Sequence, residues 1–136
     1  MLKKEYHTER LILRVSRLVK PQQTLDYYKR NDALFTPLDP QRPSNFYTLA
    51  YHRMSLEYDD DEWARGRALK LWVFTKEEPE KIIGMVSFSS IVGGSVSSAF
   101  LAYKLDQDYL NRGYITEAIA MGIKIIFDIY SKLTFW

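Results

Sequence analysis

The chain has 136 residues, of which 46% are hydrophobic and 26% are charged, so we expect one domain over residues 1–136 with its own core. Its 19 basic and 17 acidic residues nearly cancel, which argues against a nucleic-acid partner bound by bulk charge, and without cysteine it forms no disulfide or cysteine-based zinc site. The first residues do not read as a signal peptide and no apolar run is long enough to span a bilayer, so we expect a cytoplasmic protein without a membrane partner.

The first half of the chain predicts one strand and two helices. Residues 8–15 alternate apolar and other side chains, which is typical of a strand with one buried face. Pro21 stands where a helix would begin, and three prolines indicate that residues 31–43 are largely loop. Residues 46–58 show a second helical pattern, which the acidic residues 59–62 are expected to end. That acidic run lacks the alternating ligand spacing of a calcium loop, so we expect no metal there.

The second half of the chain predicts three strands. Residues 68–75, 81–92 and 95–105 are rich in β-favouring side chains and are separated by turn residues. A pair of glycines at positions 93 and 94 indicates a hairpin between the last two strands. Gly84 lies inside the middle strand, where a glycine often indicates a bulge.

A long helix follows the strands. Its apolar residues recur at spacings of three and four, which predicts one buried face. These residues are Ile115, Ala118, Ile119, Gly122, Ile126 and Ile129. Residues 132–136 resemble the beginning of a further strand.

Between the last predicted strand and this helix lies a short loop that contains Gly113. A helix start presents free backbone N–H groups and a partial positive charge, so a strand, a glycine loop and a helix together form a natural site for an anion such as a diphosphate. Gly113 has no Cβ and therefore allows close approach of a phosphate. The alternative interpretation is an ordinary loop before a helix.

Three segments carry a resemblance to a known family. They are TERLILR at residues 8–14, AYKLD at 102–106 and NRGYITEA at 111–118. With the order strand, two helices, antiparallel meander and loop-bound helix, the chain resembles the GNAT superfamily of acetyl-CoA-dependent N-acetyltransferases, in particular its ribosomal-protein-alanine N-acetyltransferase branch. The resemblance implies an α+β fold with a mainly antiparallel sheet flanked by helices.

The resemblance also implies a function and a site. It implies transfer of acetyl from acetyl-CoA, a small-molecule acyl donor, to a primary amine or a protein N-terminus, with no metal. The family's fourth strand holds the pantetheine arm and the loop holds the diphosphate. The cofactor contacts that it implies are Tyr103, Lys104, Leu105, Asn111, Arg112, Gly113, Tyr114, Ile115 and Thr116.

The chain also departs from the family pattern. Leu110 and Ile115 replace the usual residues at the two ends of the loop pattern, and Phe100 stands where many members have an acidic residue on the fourth strand. Family members continue past the helix with a strand, a helix and a hairpin, so we expect this chain to lack that C-terminal portion. Ser98 and His52 are the catalytic candidates that remain. The alternative for Ser98 is a structural serine on a strand, and the alternative for His52 is a histidine on the surface.

Two other functions stay open at this point. The chain can be a non-catalytic GNAT-like fragment that acts as an interaction module or self-associates, with residues 132–136 packed on a second copy, which predicts a homo-oligomer. It can also be a nucleotide-binding domain, because the same loop suits any phosphate. The antiparallel meander argues against the second alternative, since dinucleotide-binding domains are built from parallel βαβ units.

Overall fold

A five-stranded antiparallel sheet forms the centre of the molecule. The computed structural model describes residues 5–92 and 98–133. Each strand pairs with the next along the chain, in the spatial order β1 to β5. The strands are β1 (Glu5–His7), β2 (Leu11–Val15), β3 (Leu69–Thr75), β4 (Ile82–Val92) and β5 (Ser98–Leu105). With helices on both faces, this arrangement confirms the α+β class and the mainly antiparallel sheet.

Four α-helices lie in the described part of the chain. They are α1 (Pro21–Arg30), α2 (Asp32–Phe35), α3 (Leu49–Ala64) and α4 (Tyr114–Leu133), with 3₁₀ turns at Ser16–Leu18 and Gln107–Tyr109. Pro21 begins α1 as predicted, and Thr48 caps α3 by accepting a hydrogen bond from the N–H of Tyr51 at 3.2 Å.

The helices cover the sheet on two faces. On one face, residues of α1 and α3 pack with Ile12, Trp72 and Phe74 of the sheet. On the other face, α4 packs against Leu11 and Val86. Successive strand residues point to opposite faces, so β2 is buried on both of them. The prediction of a strand with only one buried face is therefore wrong, because helices cover both sides of it.

Several element boundaries differ from the sequence prediction. Residues 8–10 form a turn between β1 and β2 rather than strand, and the 31–43 segment contains α2. The acidic residues do not end α3, which continues to Ala64. Asp59 instead points inward, where it accepts a hydrogen bond from Ser16 Oγ at 2.9 Å and pairs with Lys70 Nζ at 3.2 Å. These partners stabilise a carboxylate inside the helix.

The end of the described chain corrects another prediction. Helix α4 continues to Leu133, so residues 132 and 133 are helical and do not begin a strand. The physical reason is that the apolar spacing of the helix persists, with Ile126 and Ile129 still packed against the core. The rest of that predicted strand, residues 134–136, and the glycine pair at positions 93 and 94 lie outside the described residues.

Gly84 lies at a sheet irregularity, as predicted. Val73 pairs with Gly84 while Phe74 pairs with Ile82, so β4 holds one extra residue at this point. A Cβ on Gly84 would lie 2.9 Å from the carbonyl oxygen of Lys104 on the neighbouring strand. The absence of a side chain therefore lets β5 approach β4 closely, next to the loop that follows β5.

Candidate functional site

Strand β5 forms one edge of the sheet. Among the described residues it pairs with β4 alone, so the backbone groups of its other edge have no strand partner there. Its side chains from Ser98 to Tyr103 are exposed, and Phe100 is 73% accessible. An exposed edge of this kind can accept a further extended chain through backbone hydrogen bonds.

The side chains at the end of β5 point away from this edge. Leu105 is buried in the core beside α4. Lys104 points to the opposite face, where its Nζ lies 2.9 Å from Asp39 Oδ1 and 5.5 Å from the centre of the Tyr28 ring. Tyr103 is 56% exposed. Of the three residues predicted to contact a cofactor on this strand, Lys104 and Leu105 can therefore offer only backbone groups at the edge.

A buried carboxylate fixes the start of the loop that follows β5. Asp106 is 1% exposed, and its Oδ1 accepts a hydrogen bond from the N–H of Asp108 at 2.9 Å. Its Oδ2 accepts from Asn31 Nδ2 at 3.2 Å and from Arg30 Nε at 3.3 Å. The loop is thus fastened to the end of α1. The sequence prediction included Asp106 only as the last residue of the AYKLD segment and missed this role, because its partners lie about 75 residues earlier.

The loop itself turns sharply before α4. Asn111 and Gly113 have φ angles of +61° and +79°, which lie in the left-handed region. This turn brings five exposed or half-exposed predicted contacts to one helix start: Asn111, Arg112, Gly113, Tyr114 and Thr116. Ile115 lies there too, and its side chain, like that of Tyr114, is partly buried against the core. The first N–H groups of the helix have no partner within it, so they can bind an anion.

Glu117, in the first turn of α4, ties the helix start to the turn between β1 and β2. Its Oε2 accepts hydrogen bonds from Thr8 Oγ1 at 2.5 Å and from the N–H of Arg10 at 2.9 Å. Its Oε1 accepts one from Arg10 Nε at 2.8 Å. Two of the segments that carried the family resemblance, at residues 8–14 and 111–118, are therefore bonded to each other in space.

The charge on Glu117 is stabilised by these partners. Partial burial raises the pKa of its carboxyl, but the hydrogen bonds from Thr8 and Arg10 and the positive charge of Arg10 together outweigh this and hold the pKa below its ordinary value. Glu117 is thus ionised at neutral pH. The sequence prediction included Glu117 in the NRGYITEA segment but assigned it no role, although a carboxylate in the first turn of a helix is a signal that sequence can show.

The two catalytic candidates lie apart from this loop. Ser98 is exposed at the start of β5, at the opposite end of the strand. His52 lies on α3, across the sheet from α4, and is only 2% exposed. The interpretation of His52 as a surface histidine is therefore wrong, because the rings of Tyr28 and Phe46 pack against it.

His52 lines a cavity of about 190 Å³ together with Trp72 and Lys70. Its Nε2 has no hydrogen-bond partner among the described residues. Burial lowers the pKa of the imidazole, the proximity of Arg42 lowers it further, and a hydrogen bond to the Phe46 backbone only partly offsets these effects. The neutral form is therefore favoured.

Two further kinds of site are absent from the described part of the chain. Residues 5–92 and 98–133 contain no group of three or more His, Asp or Glu side chains placed to hold a metal ion. None of the helices in the same ranges is long and apolar enough to cross a membrane.

The edge strand, the glycine loop and the helix all lie within one match to a known domain family. The model of the acetyltransferase (GNAT) domain matches residues 10–133. The chain belongs to the GNAT family. The match runs from Arg10 to the end of α4, so it contains both halves of the contact between Arg10 and Glu117.

Individual acetyltransferases resemble the chain in sequence and in fold. The chain is 27% identical over 117 residues to the [ribosomal protein uS5]-alanine N-acetyltransferase of Escherichia coli (strain K12), covering 86% of this chain and 60% of that protein. The crystal structure of ribosomal-protein-S5-alanine acetyltransferase from Vibrio fischeri has a TM-score of 0.78 at 24% identity, covering 93% of this chain and 69% of that one. The microcin C7 self-immunity acetyltransferase in complex with acetyl-CoA and AMP has a TM-score of 0.71 at 19% identity, covering 89% of this chain and 64% of that chain. The chain thus spans about three fifths of the length of the curated relative.

Proposed function

We propose that this chain is the cofactor-binding part of an acetyl-CoA-dependent N-acetyltransferase whose acceptor is a primary amine. The observation that carries the proposal is the glycine loop at the start of α4, directly after an edge strand whose outer backbone groups have no strand partner in the described chain. A coenzyme A molecule has a diphosphate for the first feature and an amide-containing arm for the second. Membership of the GNAT family and the acetyl-CoA complex of a related fold support this assignment.

In the proposed complex the diphosphate lies on the N–H groups at residues 111–116, and the pantetheine arm pairs with the edge of β5 by strand addition. The backbone N–H near Tyr103 polarises the thioester carbonyl. A neutral amine attacks that carbonyl carbon, the C–S bond breaks, and the thiolate of coenzyme A leaves and gains a proton. Phe100 has no ionisable group, so it cannot supply the base that accepts the amine proton.

A protein N-terminus is the acceptor class that we favour. Support comes from the Escherichia coli relative, which is named for acetylating an alanine of a ribosomal protein. We also propose a cytoplasmic location, since the acceptor named for this relative is a ribosomal protein. We also propose that residues 1–136 form one domain, since both cores are built on the same sheet.

Replacing Gly113 with alanine is expected to weaken acetyl-CoA binding at least about tenfold, because a φ of +79° costs an L residue about 1–2 kcal/mol and the loop will relax out of this shape. The thermal shift of the chain with increasing acetyl-CoA measures the affinity. Gly66 is a matched control, since its φ is +70° and a Cβ added there would meet nothing within 4 Å.

The Gly66→Ala variant should lose similar stability while it keeps the affinity of the original chain. Equal binding by the Gly113→Ala variant and the original chain would contradict a cofactor role for the loop. A flat melting temperature for the original chain at millimolar acetyl-CoA would contradict the proposed function itself.

A second candidate function, self-association without catalysis, is favoured by the apolar surface of the described chain. Phe100, Tyr103 and Phe127 are each more than half exposed. Phe100 and Tyr103 belong to β5, the strand with the open edge. A second copy can pair with this edge, because antiparallel pairing between the β5 strands of two copies supplies hydrogen-bond partners to the backbone groups of both. Light scattering is expected to show a dimer that acetyl-CoA dissociates, since both occupy the same edge. A monomer at all concentrations would refute this candidate.

A further inference from the structure

The guanidinium of Arg10 lies at the base of the proposed diphosphate loop, although Arg10 is about 100 residues away in the sequence. Its Nε donates to Glu117 Oε1 at 2.8 Å and its Nη1 donates to the carbonyl oxygen of Arg112 at 2.9 Å. A Cβ on Gly113 would lie 3.4 Å from its Nη2, and its Cζ lies 4.3 Å from the centre of the Tyr114 ring. One side chain therefore contacts Arg112 and Tyr114, on either side of Gly113, and Glu117 in the first turn of α4.

We propose that Arg10 is a positioning residue that holds residues 112–114 in the shape that binds the diphosphate of the cofactor. This inference rests on the proposed function. The carbonyl of Arg112 is turned toward Arg10, so the N–H of Gly113, on the opposite side of the same trans peptide bond, faces the other way and is available to an anion. The planar fork of arginine can bond to Glu117 and to the Arg112 carbonyl at the same time.

The same geometry argues against a role for Arg10 as a simple positive charge on the phosphate. Its guanidinium is already paired with the carboxylate of Glu117, which neutralises much of its charge. A lysine would keep the charge, but its single nitrogen cannot take the places of both Nε and Nη1, so it would not reproduce both bonds with the geometry of the arginine. Replacement with lysine therefore separates positioning from simple charge.

The chain offers a matched control in Arg14, which lies on β2, the strand that begins directly after Arg10. Its Nε pairs with Glu5 at 2.8 Å, its Nη1 donates to the carbonyl oxygen of Pro79, and its Cζ lies 4.4 Å from the centre of the Phe74 ring. Arg14 thus makes the same three kinds of contact as Arg10, to a carboxylate, a carbonyl and a ring. None of these contacts involves the loop.

The test compares the affinity of the full chain and its variants for coenzyme A, by calorimetry at a temperature where circular dichroism shows all of them folded. We expect the dissociation constant to rise about tenfold or more in Arg10→Ala and about fivefold in Arg10→Lys, since a bond to a charged group is lost. Arg14→Ala is expected to stay within about twofold of the original chain, because its contacts do not reach the loop.

Unchanged affinity in Arg10→Ala, full affinity in Arg10→Lys, or an equal loss in Arg14→Ala would each overturn the inference. If the original chain does not bind coenzyme A, the proposed function fails. A second measurement needs no cofactor: the NMR amide resonance of Gly113 should move in Arg10→Ala and stay in place in Arg14→Ala. An unmoved Gly113 resonance in Arg10→Ala would overturn the positioning role independently of any binding.

Discussion

Replacing Gly84 with valine is expected to lower the free energy of unfolding by about 2–3 kcal/mol, since overpacking a close-packed site costs about 1–3 kcal/mol. The clash is with backbone: a Cβ on Gly84 would lie 2.9 Å from the carbonyl oxygen of Lys104 and 3.3 Å from Cδ1 of Leu105. A carbonyl within a sheet ladder cannot move aside without breaking the pairing of β4 with β5. Urea denaturation followed by circular dichroism measures the change.

Ser87→Val is the control for this variant. Ser87 lies three positions further along β4, is half-buried and pairs with the small Ala102, so valine is expected to change stability there by less than about 0.5 kcal/mol. Gly84→Val should also weaken acetyl-CoA binding, because Lys104 and Leu105 belong to the strand that we propose as the cofactor edge. A Gly84→Val chain as stable as the Ser87→Val chain would show that β5 is not held as closely as the structure indicates.

Replacing Glu117 with alanine is the other change with a large expected effect. It removes the acceptor of three hydrogen bonds, from Thr8 Oγ1 and from two nitrogen atoms of Arg10. We expect a loss of about 2–3 kcal/mol of unfolding free energy at pH 7, the size of one strong bond to a charged group. Glu9→Gln is the control, because Glu9 is an exposed carboxylate in the same turn.

The effect of Glu117→Ala should depend on pH. The pKa of Glu117 is lower in the folded chain than its ordinary value of 4.5, so the unfolded chain binds the proton first as the pH falls. The stability from the ionised carboxylate is therefore complete above about pH 5 and is lost as the pH falls through the lowered pKa. Denaturation curves of the original chain and the variant should converge at low pH. A difference that is constant from pH 7 to pH 3 would contradict the ionic contribution.

The elements that sequence reasoning predicted best are those with a strong local signal. The apolar spacing of α4, the proline at the start of α1 and the glycine at the β4 bulge each reflect a rule that acts within a few residues. The errors have a different origin. Residues 59–62 continue α3 because Ser16 and Lys70 bond to Asp59, and His52 is buried because Phe46 and Tyr28 cover it. Neither set of partners is close in sequence.

The candidate site divides in the same way. The sequence alone determined that a glycine loop precedes a helix, because a helix start and a glycine with positive φ both depend on a few neighbouring residues. It also carried the resemblance to an acetyltransferase family. Only the tertiary structure showed that Asp106 fastens the loop to α1 and that Arg10 and Glu117 join the turn before β2 to the start of α4. The physical reason is that hydrogen bonds and ion pairs depend on distances in space, and the folding of five strands brings together residues about 100 positions apart.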